Sequence, residues 1–497
     1  MFPGILVLFA FIREFRTQKG GSLMKRMRWY EYITYNIYWL GLNVATASIG
    51  PIILPFLVAL FVPAEVKATY LGRVRAIGLA VAMMIQPMAG LLSDRSTLRW
   101  GRRRPYIVVG TLLAVVFLAI VGAATSYWML LLGIILLQFA SNIAHGPLQG
   151  LIPDLVPEGQ RGKASGVKAI MELLPAFLVM GIGPLVDKGY LGVAIGIVMG
   201  SLLLTMLITC LTVHEEPLRD KPTSSIREPL LRIVALTLIF VAVSLASERL
   251  VAFVGRAMGR TTAHLLVVSL TGLLAMAGAI FIGVFLGARV GLGKEAKKHP
   301  SFVWWVVNRL LFLAAIGSVR DFAQYFLSDV LQIENAATVT SLLLGVVALF
   351  LILSALVSGW LSDKVGRIRL VLLAGIVAAA GTFLILLSHS IPMVLLCGCI
   401  IGTGAGTFMA VNWALGTDLV PPGEAGLYLG ISNLAGAGAG IVGSGIGGPM
   451  ADFFNAYQRG LGYLMIFGIY GALFLLSSLT LVKVKTPKVS TGANLTK

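Results

Sequence analysis

Long apolar stretches follow one another along nearly the whole chain, and this pattern restricts the fold more than any other feature. A helix that crosses a bilayer needs about 20 mainly apolar residues, and fourteen such stretches can be placed here. Only 12% of the 497 residues are charged, whereas a soluble domain has about 25%. The sequence therefore predicts an all-α polytopic membrane protein with little room for a soluble catalytic domain, and we do not expect an enzyme.

The stretches form groups of six, two and six. They lie at about 30–60, 74–93, 105–125, 127–152, 164–187 and 190–212, then at 230–252 and 264–288, and then at 302–330, 337–361, 370–388, 391–416, 426–448 and 460–482. The expected units are an upstream extension of the reading frame, a first half, a cytoplasmic linker with an inserted transmembrane hairpin, a second half and a cytoplasmic tail. Their ranges are 1–23, 24–213, 214–300, 301–483 and 484–497.

Two short motifs recur once each at nearly the same offset. Gly-Leu-Leu-Ser-Asp-Arg at 90–95 returns as Gly-Trp-Leu-Ser-Asp-Lys at 359–364, an offset of 269 (359 minus 90). Asp-Leu-Val-Pro at 154–157 returns at 418–421, an offset of 264 (418 minus 154). In both halves, the first motif lies at the end of the second span and the second motif follows the fourth span. The two halves therefore share one orientation. Parallel six-helix repeats with a substrate site between them are typical of the major facilitator superfamily.

The formal charge of +18 reflects Lys and Arg clustered in short loops between apolar stretches. Basic loops stay in the cytoplasm, so we expect a multi-pass cell-membrane protein with both termini cytoplasmic and no nucleic-acid partner. The three cysteines, Cys210, Cys397 and Cys399, lie inside apolar stretches, which disfavours a disulfide framework or a thiol metal site. We expect no metal and no cofactor, and the absence of a Walker-type loop argues against ATP as the energy source.

A longer motif carries a closer resemblance. Gln86, Pro87 and Gly90, followed by Ser-Asp-Arg-Ser-Thr-Leu-Arg-Trp-Gly-Arg-Arg-Arg-Pro-Tyr-Ile at 93–107, resemble the signature of the plant sucrose transporters and their animal and bacterial relatives. Further positions match in the fourth span: Ala140, Asn142, Gly146, Pro147, Asp154 and Leu155. The resemblance implies a major facilitator fold and proton-coupled transport of a disaccharide or glycoside. Where that family has an acidic residue in the fourth helix, this sequence has Gln138, which does not titrate, so proton coupling and facilitated diffusion both stay open.

Polar side chains recur every three or four residues in two spans, which places them on one face of each helix. The expected solute contacts on these two faces are Asn36, Trp39, Asn43, Gln138, Asn142 and His145, and the offset of 264 adds Trp413 in the second half as the counterpart of Gln149. Amides suit sugar hydroxyls and an indole suits the apolar face of a sugar ring, in keeping with sites that combine apolar walls and few polar groups. The alternative is that these side chains form hydrogen bonds or close packing between helices.

Charged residues inside the spans are costly and indicate function. Arg320 and Asp321 lie in the first span of the second half, and Glu172 follows Lys168 by one helical turn in the fifth span. Glu172, Asp321 and Arg320 are therefore candidates for proton coupling. Neighbouring residues on a helix point about 100° apart, so we do not expect Arg320 and Asp321 to pair directly. The alternatives are structural pairs with other helices or side chains that extend to the membrane surface.

The charged loops after the second span of each half resemble gating latches of the family. The candidate gating residues are Gly90, Asp94, Arg95, Arg99, Gly101, Arg102, Arg103, Gly359, Asp363, Lys364 and Arg367. The alternative for the basic residues is that they only set the topology. Positive-inside bias does not explain the recurring glycine and aspartate.

The sequence thus predicts a secondary active transporter that moves a small polar solute, a sugar or glycoside, by alternating access. Its other partners would be the lipid bilayer and, if transport is coupled, protons. The apolar face of the second half and the extra hairpin leave open an exporter of amphiphilic or drug-like compounds. A nontransporting sensor built on a transporter fold is the third interpretation.

Overall fold

A computed structural model describes residues 27–215, 225–257, 262–420 and 425–485, and every regular element in these ranges is helical. The expected extension at 1–23 and most of the tail at 484–497 lie outside them. The long helices are α1 Trp29–Phe61, α2 Lys67–Ser93, α3 Arg104–Gly122, α4 Tyr127–Leu155, α5 Glu158–Asp187, α6 Leu191–Thr212, α7 Arg227–Ala257, α8 Thr262–Leu292, α9 Pro300–Asp329, α10 Ala336–Val365, α11 Arg367–Ile385, α12 Ile391–Asp418, α13 Ala425–Asn455 and α14 Leu461–Thr480.

Thirteen of the helices in the described ranges are long and apolar enough to cross a membrane. The remaining long helix, α13, has 31 residues and is rich in glycine. An all-α polytopic membrane protein is therefore confirmed, with helix bounds close to the apolar stretches. Most helices start earlier than the stretches do, because polar residues at a membrane surface still fit a helix.

Local sequence explains where several helices begin. Pro105 and Pro300 lie in the first turns of α3 and α9, where a proline is tolerated because the N–H it lacks would have no intrahelical partner. Ser126 precedes α4 and its hydroxyl accepts the N–H of Met129 at 3.3 Å, which is an N-cap. Gly366, with φ of 96°, makes the sharp turn between α10 and α11 that an L side chain resists.

Helix α1 is interrupted twice. Tyr35 and Asn36 form a turn between two α-helical segments, and Ile49–Ile53 is a π-helical turn that contains Pro51. Proline lacks the N–H needed for a regular helix, and π turns are frequent at functional sites. Within the π turn, Arg75 packs closely against Gly50, because an added Cβ would lie only 3.0 Å from its Nη1.

Two pairs of helices join the first six helices to the last six. Helix α2 packs along α13, and the end of α5 packs along α10. We call the end of the bundle that bears the loop at 94–103 the basic end, and the opposite end, where α2 and α10 begin, the closed end. The inserted hairpin α7–α8 packs on α13, α9 and α14 of the second half, and α7 also contacts α2.

Candidate functional site

Two aspartates tie the halves together at the closed end in the same way. Asp452 in α13 accepts the backbone N–H of Ala68 at 3.2 Å and of Thr69 at 2.6 Å, in the first turn of α2. Asp187 at the end of α5 accepts the N–H of Ala337 at 3.3 Å and of Thr338 at 2.7 Å, in the first turn of α10. The first N–H groups of a helix have no partner within the helix and favour a negative charge. Each half therefore caps a helix of the other half.

An ion pair, a hydrogen bond and close packing strengthen the same end. Lys67 lies 2.7 Å from Asp329, with both side chains largely buried. The hydroxyl of Tyr325 donates to the carbonyl of Pro55 in α1 at 2.9 Å. The packing is close as well, since a Cβ added at Gly72 in α2 would collide with the carbonyl oxygen of Ser444 in α13.

A second ion pair between the halves lies deeper in the bundle. Arg75 of α2 donates from Nε and Nη2 to both carboxylate oxygens of Asp321, at 2.8 and 2.6 Å. Ser444 of α13 donates to the same carboxylate at 2.9 Å. The Asp321 side chain is only 3% exposed, so two opposite charges are held out of water, which requires the good geometry seen here. Arg320 also comes within 3.7 Å of Asp321, so the expectation that these neighbours do not meet was wrong, although Arg75 is the shorter contact.

A cavity of about 90 Å³ lies beside this ion pair, among α1, α2, α3, α4 and α6. Its polar wall comprises Thr46, Arg75, Gln138 and Ser141, and apolar side chains such as Leu42 and Ile134 complete it. Of these residues, Gln138 was predicted from the sequence as a solute contact. Apolar walls with a few polar groups are typical of small-molecule sites.

Toward the basic end, α1, α4 and α5 bring together several of the expected residues. The rings of Trp39 and His145 meet edge to face with centroids 5.2 Å apart. Lys168 places its ammonium 4.1 Å from the Trp39 ring centre and 3.3 Å from Glu172. Glu172 is thus paired inside its own helix and partly exposed, unlike Asp321.

The three predicted asparagines all donate to backbone carbonyls. Asn43 donates to the carbonyl of Trp39 at 2.9 Å, and Asn142 donates to the carbonyl of Gln138 at 2.8 Å. Asn36 is fully buried and donates to Tyr32 and to Ala164 of α5. It therefore ties α1 to α5, which is the packing alternative rather than a place on a cavity wall.

Trp413 of α12 lies in the second half, where its ring is covered by another side chain. The guanidinium of Arg309 in α9 lies 4.9 Å from the Trp413 ring centre, a cation–π distance. Nη1 of Arg309 is 3.4 Å from Oδ1 of Asn412. The stacking face expected to receive a sugar is thus occupied by Arg309 in this state.

The expected latch at the basic end is a network inside the first half. Arg103 reaches Asp94 at 2.5 Å, Asp154 at 2.9 Å and the hydroxyl of Ser93 at 2.7 Å. Arg102 also pairs with Asp154 at 2.8 Å. The network fixes the ends of α2 and α4 to the start of α3.

Gly101 allows the chain to enter α3 in this position. Its φ is 108° and an added Cβ would collide with Glu215. Glu215 in turn accepts the backbone N–H groups of Arg103 and Arg104 at 2.9 and 3.1 Å. Arg99 is exposed beside this turn and Arg95 is half-buried. Gly90 faces α4 closely, with an added Cβ 3.8 Å from the carbonyl of Gly146.

The second half repeats the arrangement in simpler form. Arg367 pairs with Asp418 at 2.5 Å and lies 3.7 Å from Asp363. Lys364 covers the ring of Trp360 at 3.7 Å, while Gly359 has open space around its Cα. Arg103 and Arg367 differ in number by 264 (367 minus 103), the offset of the repeated Asp-Leu-Val-Pro motif, so the two arginines are equivalent in the repeat.

The sequence reasoning missed Arg75, which is the main partner of Asp321. Arg75 lies near the start of the apolar stretch predicted at 74–93, and it was not among the predicted site residues. Helix α2 in fact begins at Lys67, which puts Arg75 two turns inside. Its charge at the edge of an apolar stretch was the available signal.

Comparison with known proteins gives a consistent result. The model of the Major Facilitator Superfamily matches residues 66–319 and 310–497. Sucrose transport protein SUT1 of rice (Oryza sativa subsp. japonica) is 32% identical over 112 residues, which cover 18% of this chain and 21% of that protein. Proton-associated sugar transporter A of the rat (Rattus norvegicus) is 30% identical over 167 residues, 28% of this chain and 22% of that protein. The matched segments thus span about a fifth of the length of these curated relatives.

Solved structures share the fold at low sequence identity. The nucleoside transporter NupG has a TM-score of 0.63 at 12% identity, and the alignment covers 91% of this chain and 99% of NupG. A bacterial homologue of the human lysosomal transporter Spinster, solved in an inward-facing and unoccupied conformation, has a TM-score of 0.62 at 16% identity. That alignment covers 92% of this chain and 98% of the homologue.

Proposed function

Because the chain belongs to the Major Facilitator Superfamily, we propose that it carries a sugar or glycoside across the membrane by alternating access. The observation that carries the proposal is the set of contacts between halves at the closed end, beside a partly polar cavity. The names of the sucrose and sugar transport relatives support a sugar as the solute. Gln138, Ser141 and Thr46 are neutral hydrogen-bonding groups that suit hydroxyls.

The basic end faces the cytoplasm in this proposal, because basic loops are retained there. The described state is then the inward-facing one, since α2 and α10 are held to α13 and α5 at the opposite end. Conversion to the other state requires those contacts to break while contacts form at the basic end. Arg103 and Arg367 hold the helix ends that would meet there.

Asp321 is the proposed proton carrier. A proton on one carboxylate oxygen removes the negative charge that holds Arg75, and with it the deepest ion pair between the halves. The loss of one charge from a buried pair is strongly destabilising. Proton binding is therefore linked to separation of the halves. Glu172 has no comparable position, because its partner Lys168 is one turn away in the same helix.

The test uses purified protein in proteoliposomes with an imposed pH gradient and labelled sucrose or another disaccharide. We expect accumulation above equilibrium in the unmodified protein, and only exchange in Asp321→Asn. Glu172→Gln is the matched control and should keep accumulation. Equilibration without accumulation in the unmodified protein would contradict proton coupling. Movement of lipophilic cations without any sugar flux would contradict the sugar proposal and favour the exporter.

A further inference from the structure

One face of α9 carries side chains that the packing of this helix leaves uncovered. Arg309, Leu313, Ile316 and Arg320 are partly or fully exposed, at steps of four, three and four residues, which is a single helical face. The other sides of helix α9 are covered by α8, α10, α12, α13 and α14. The C-terminal part of α9 contacts α1 of the other half. The uncovered face therefore looks into the space between the halves. Its two arginines are about 16 Å apart along the helix axis at 1.5 Å per residue.

Arg320 lies at the deep end of that space. One turn further along α9, Gln324 donates to the carbonyls of Pro51 and Ile52 in α1 at 3.1 and 2.9 Å when its amide nitrogen is turned toward them. That contact closes the space above Arg320. The Arg320 side chain nevertheless stays 42% exposed, so its guanidinium borders an open volume and is not packed against protein.

The charge of Arg320 is incompletely balanced. Its nearest carboxylate is Asp321 at 3.7 Å, and both oxygens of that carboxylate already accept short hydrogen bonds from Arg75. Two arginines thus share one aspartate, and the better geometry belongs to Arg75. Among the described residues, Asp321 is the one ion-pair partner of Arg320, whose side chain is otherwise 42% exposed.

Arg309 lies on the same face nearer the basic end. Within the described part of the chain, no carboxylate oxygen pairs with its guanidinium, whose contacts are the rings of Trp413 and Trp305 and the amide of Asn412. Its Nε is buried without a hydrogen-bond partner. The four cations described above, Arg75, Lys168, Arg309 and Arg320, face only two carboxylates among their described contacts, Glu172 and Asp321.

Charged groups inside a membrane protein are normally paired, and one without a protein partner indicates a ligand or ion pathway. We propose that the transported solute carries an anionic group, a carboxylate or a phosphate, which pairs with Arg320 at the deep end of the space. A guanidinium binds both groups through two parallel hydrogen bonds. Arg309 draws the anion in from the basic end. The inference rests on the proposed sugar transport, so the solute is a sugar acid or a sugar phosphate.

A matched pair of sugars tests the charge alone. Methyl glucoside and methyl glucuronide differ only at C6, where the second has a carboxylate, and glucose 6-phosphate supplies the phosphate arm. Binding to the purified protein and flux into proteoliposomes are measured for all three. We expect one of the anionic sugars to bind at least about tenfold more tightly than methyl glucoside, since a tenfold ratio needs only one modest added interaction.

Three variants test which arginine causes the preference. Arg320→Gln should bring the ratio of the two affinities, methyl glucuronide to methyl glucoside, down to about one, whereas Arg320→Lys should keep part of the preference. Arg309→Gln should lower the initial rate of anion flux mainly at low salt, because steering is screened by ions. Arg232→Gln is the control, since Arg232 pairs with Glu228 at an exposed end of the hairpin.

The outcomes separate this inference from the sugar proposal. Equal or better binding of methyl glucoside would overturn the anionic solute and leave sugar transport standing. A loss of both sugars in Arg320→Gln, with Arg320→Lys equally inactive, would overturn the assigned role of Arg320. Failure of all three sugars to bind an unmodified protein that transports sucrose or another disaccharide would overturn the anionic solute alone.

Discussion

At the residue scale, Arg103 and Arg367 are equivalent in the repeat, and each lies near the equivalent aspartate, Asp94 or Asp363. The two ion pairs differ in distance and in burial. Arg103 contacts Asp94 at 2.5 Å and is itself nearly buried. Arg367 is 3.7 Å from Asp363, whose side chain is 74% exposed. Exposed ion pairs contribute little and buried ones contribute more when fully hydrogen-bonded. The first-half network is therefore the stronger of the two.

This difference gives a prediction for Asp94→Asn and Asp363→Asn. We expect Asp94→Asn to lower flux at least about tenfold, the effect of losing roughly 1.4 kcal/mol from one required state, while Asp363→Asn has a smaller effect. Membrane insertion should be normal in both, because neither side chain is buried. Flux per inserted molecule is the measurement. Normal flux from fully inserted Asp94→Asn would contradict the latch role.

The prediction from helical spacing fails where a helix is interrupted. It placed Asn36 on the same face as Trp39 and Asn43, on the assumption of one regular helix. The turn at Tyr35 and Asn36 interrupts that helix, so Asn36 points to Ala164 of α5 instead. A contact such as Arg75 with Asp321 joins residues far apart in the chain, and no local pattern in a single sequence specifies such a partner.

At the element scale, the two cross-half caps follow the repeat. Asp187 and Asp452 differ in number by 265 (452 minus 187), which is close to the offsets of the repeated motifs. Helices α5 and α13 are therefore equivalent, as are α2 and α10, and each cap joins non-equivalent members of opposite halves. The helices themselves were predictable from apolar length, but the caps depend on the approach of the halves.

Removal of either cap should favour opening of the closed end. An N-cap contributes about 1 kcal/mol, so Asp452→Ala or Asp187→Ala should change the ratio of the two states roughly fivefold, and the double variant more. Reaction of a thiol reagent with a cysteine introduced on α2 at the closed end reports the opening. Glu334→Ala, an exposed carboxylate at the same end, should react as the unmodified protein does. Unchanged reactivity in the double variant would show that the caps do not hold this state.

At the scale of the whole molecule, the contacts at the closed end act together as one closure. A short thiol cross-linker between cysteines in Lys67→Cys and Asp329→Cys should stop transport, because it joins the halves where an ion pair of 2.7 Å joins them now. The matched control links Asp329→Cys to Arg459→Cys, which lie near each other within the second half. That cross-link should leave flux intact. Continued transport with the first pair linked would contradict alternating access through this end.

The hairpin α7–α8 occupies the lipid-facing side of the α2–α13 seam, held to α13 by the hydrogen bond from Ser244 to Ile441 at 3.4 Å and near α2 by Glu248, 3.7 Å from Arg73. Because it packs on three helices of the second half and on one of the first, it must travel with the second half when α2 moves away. The widening slot would then be separated from acyl chains by α7. In the proposed transport cycle, an insertion that adds no side chain to the described cavity lining would thereby keep lipid out of the opening between the halves.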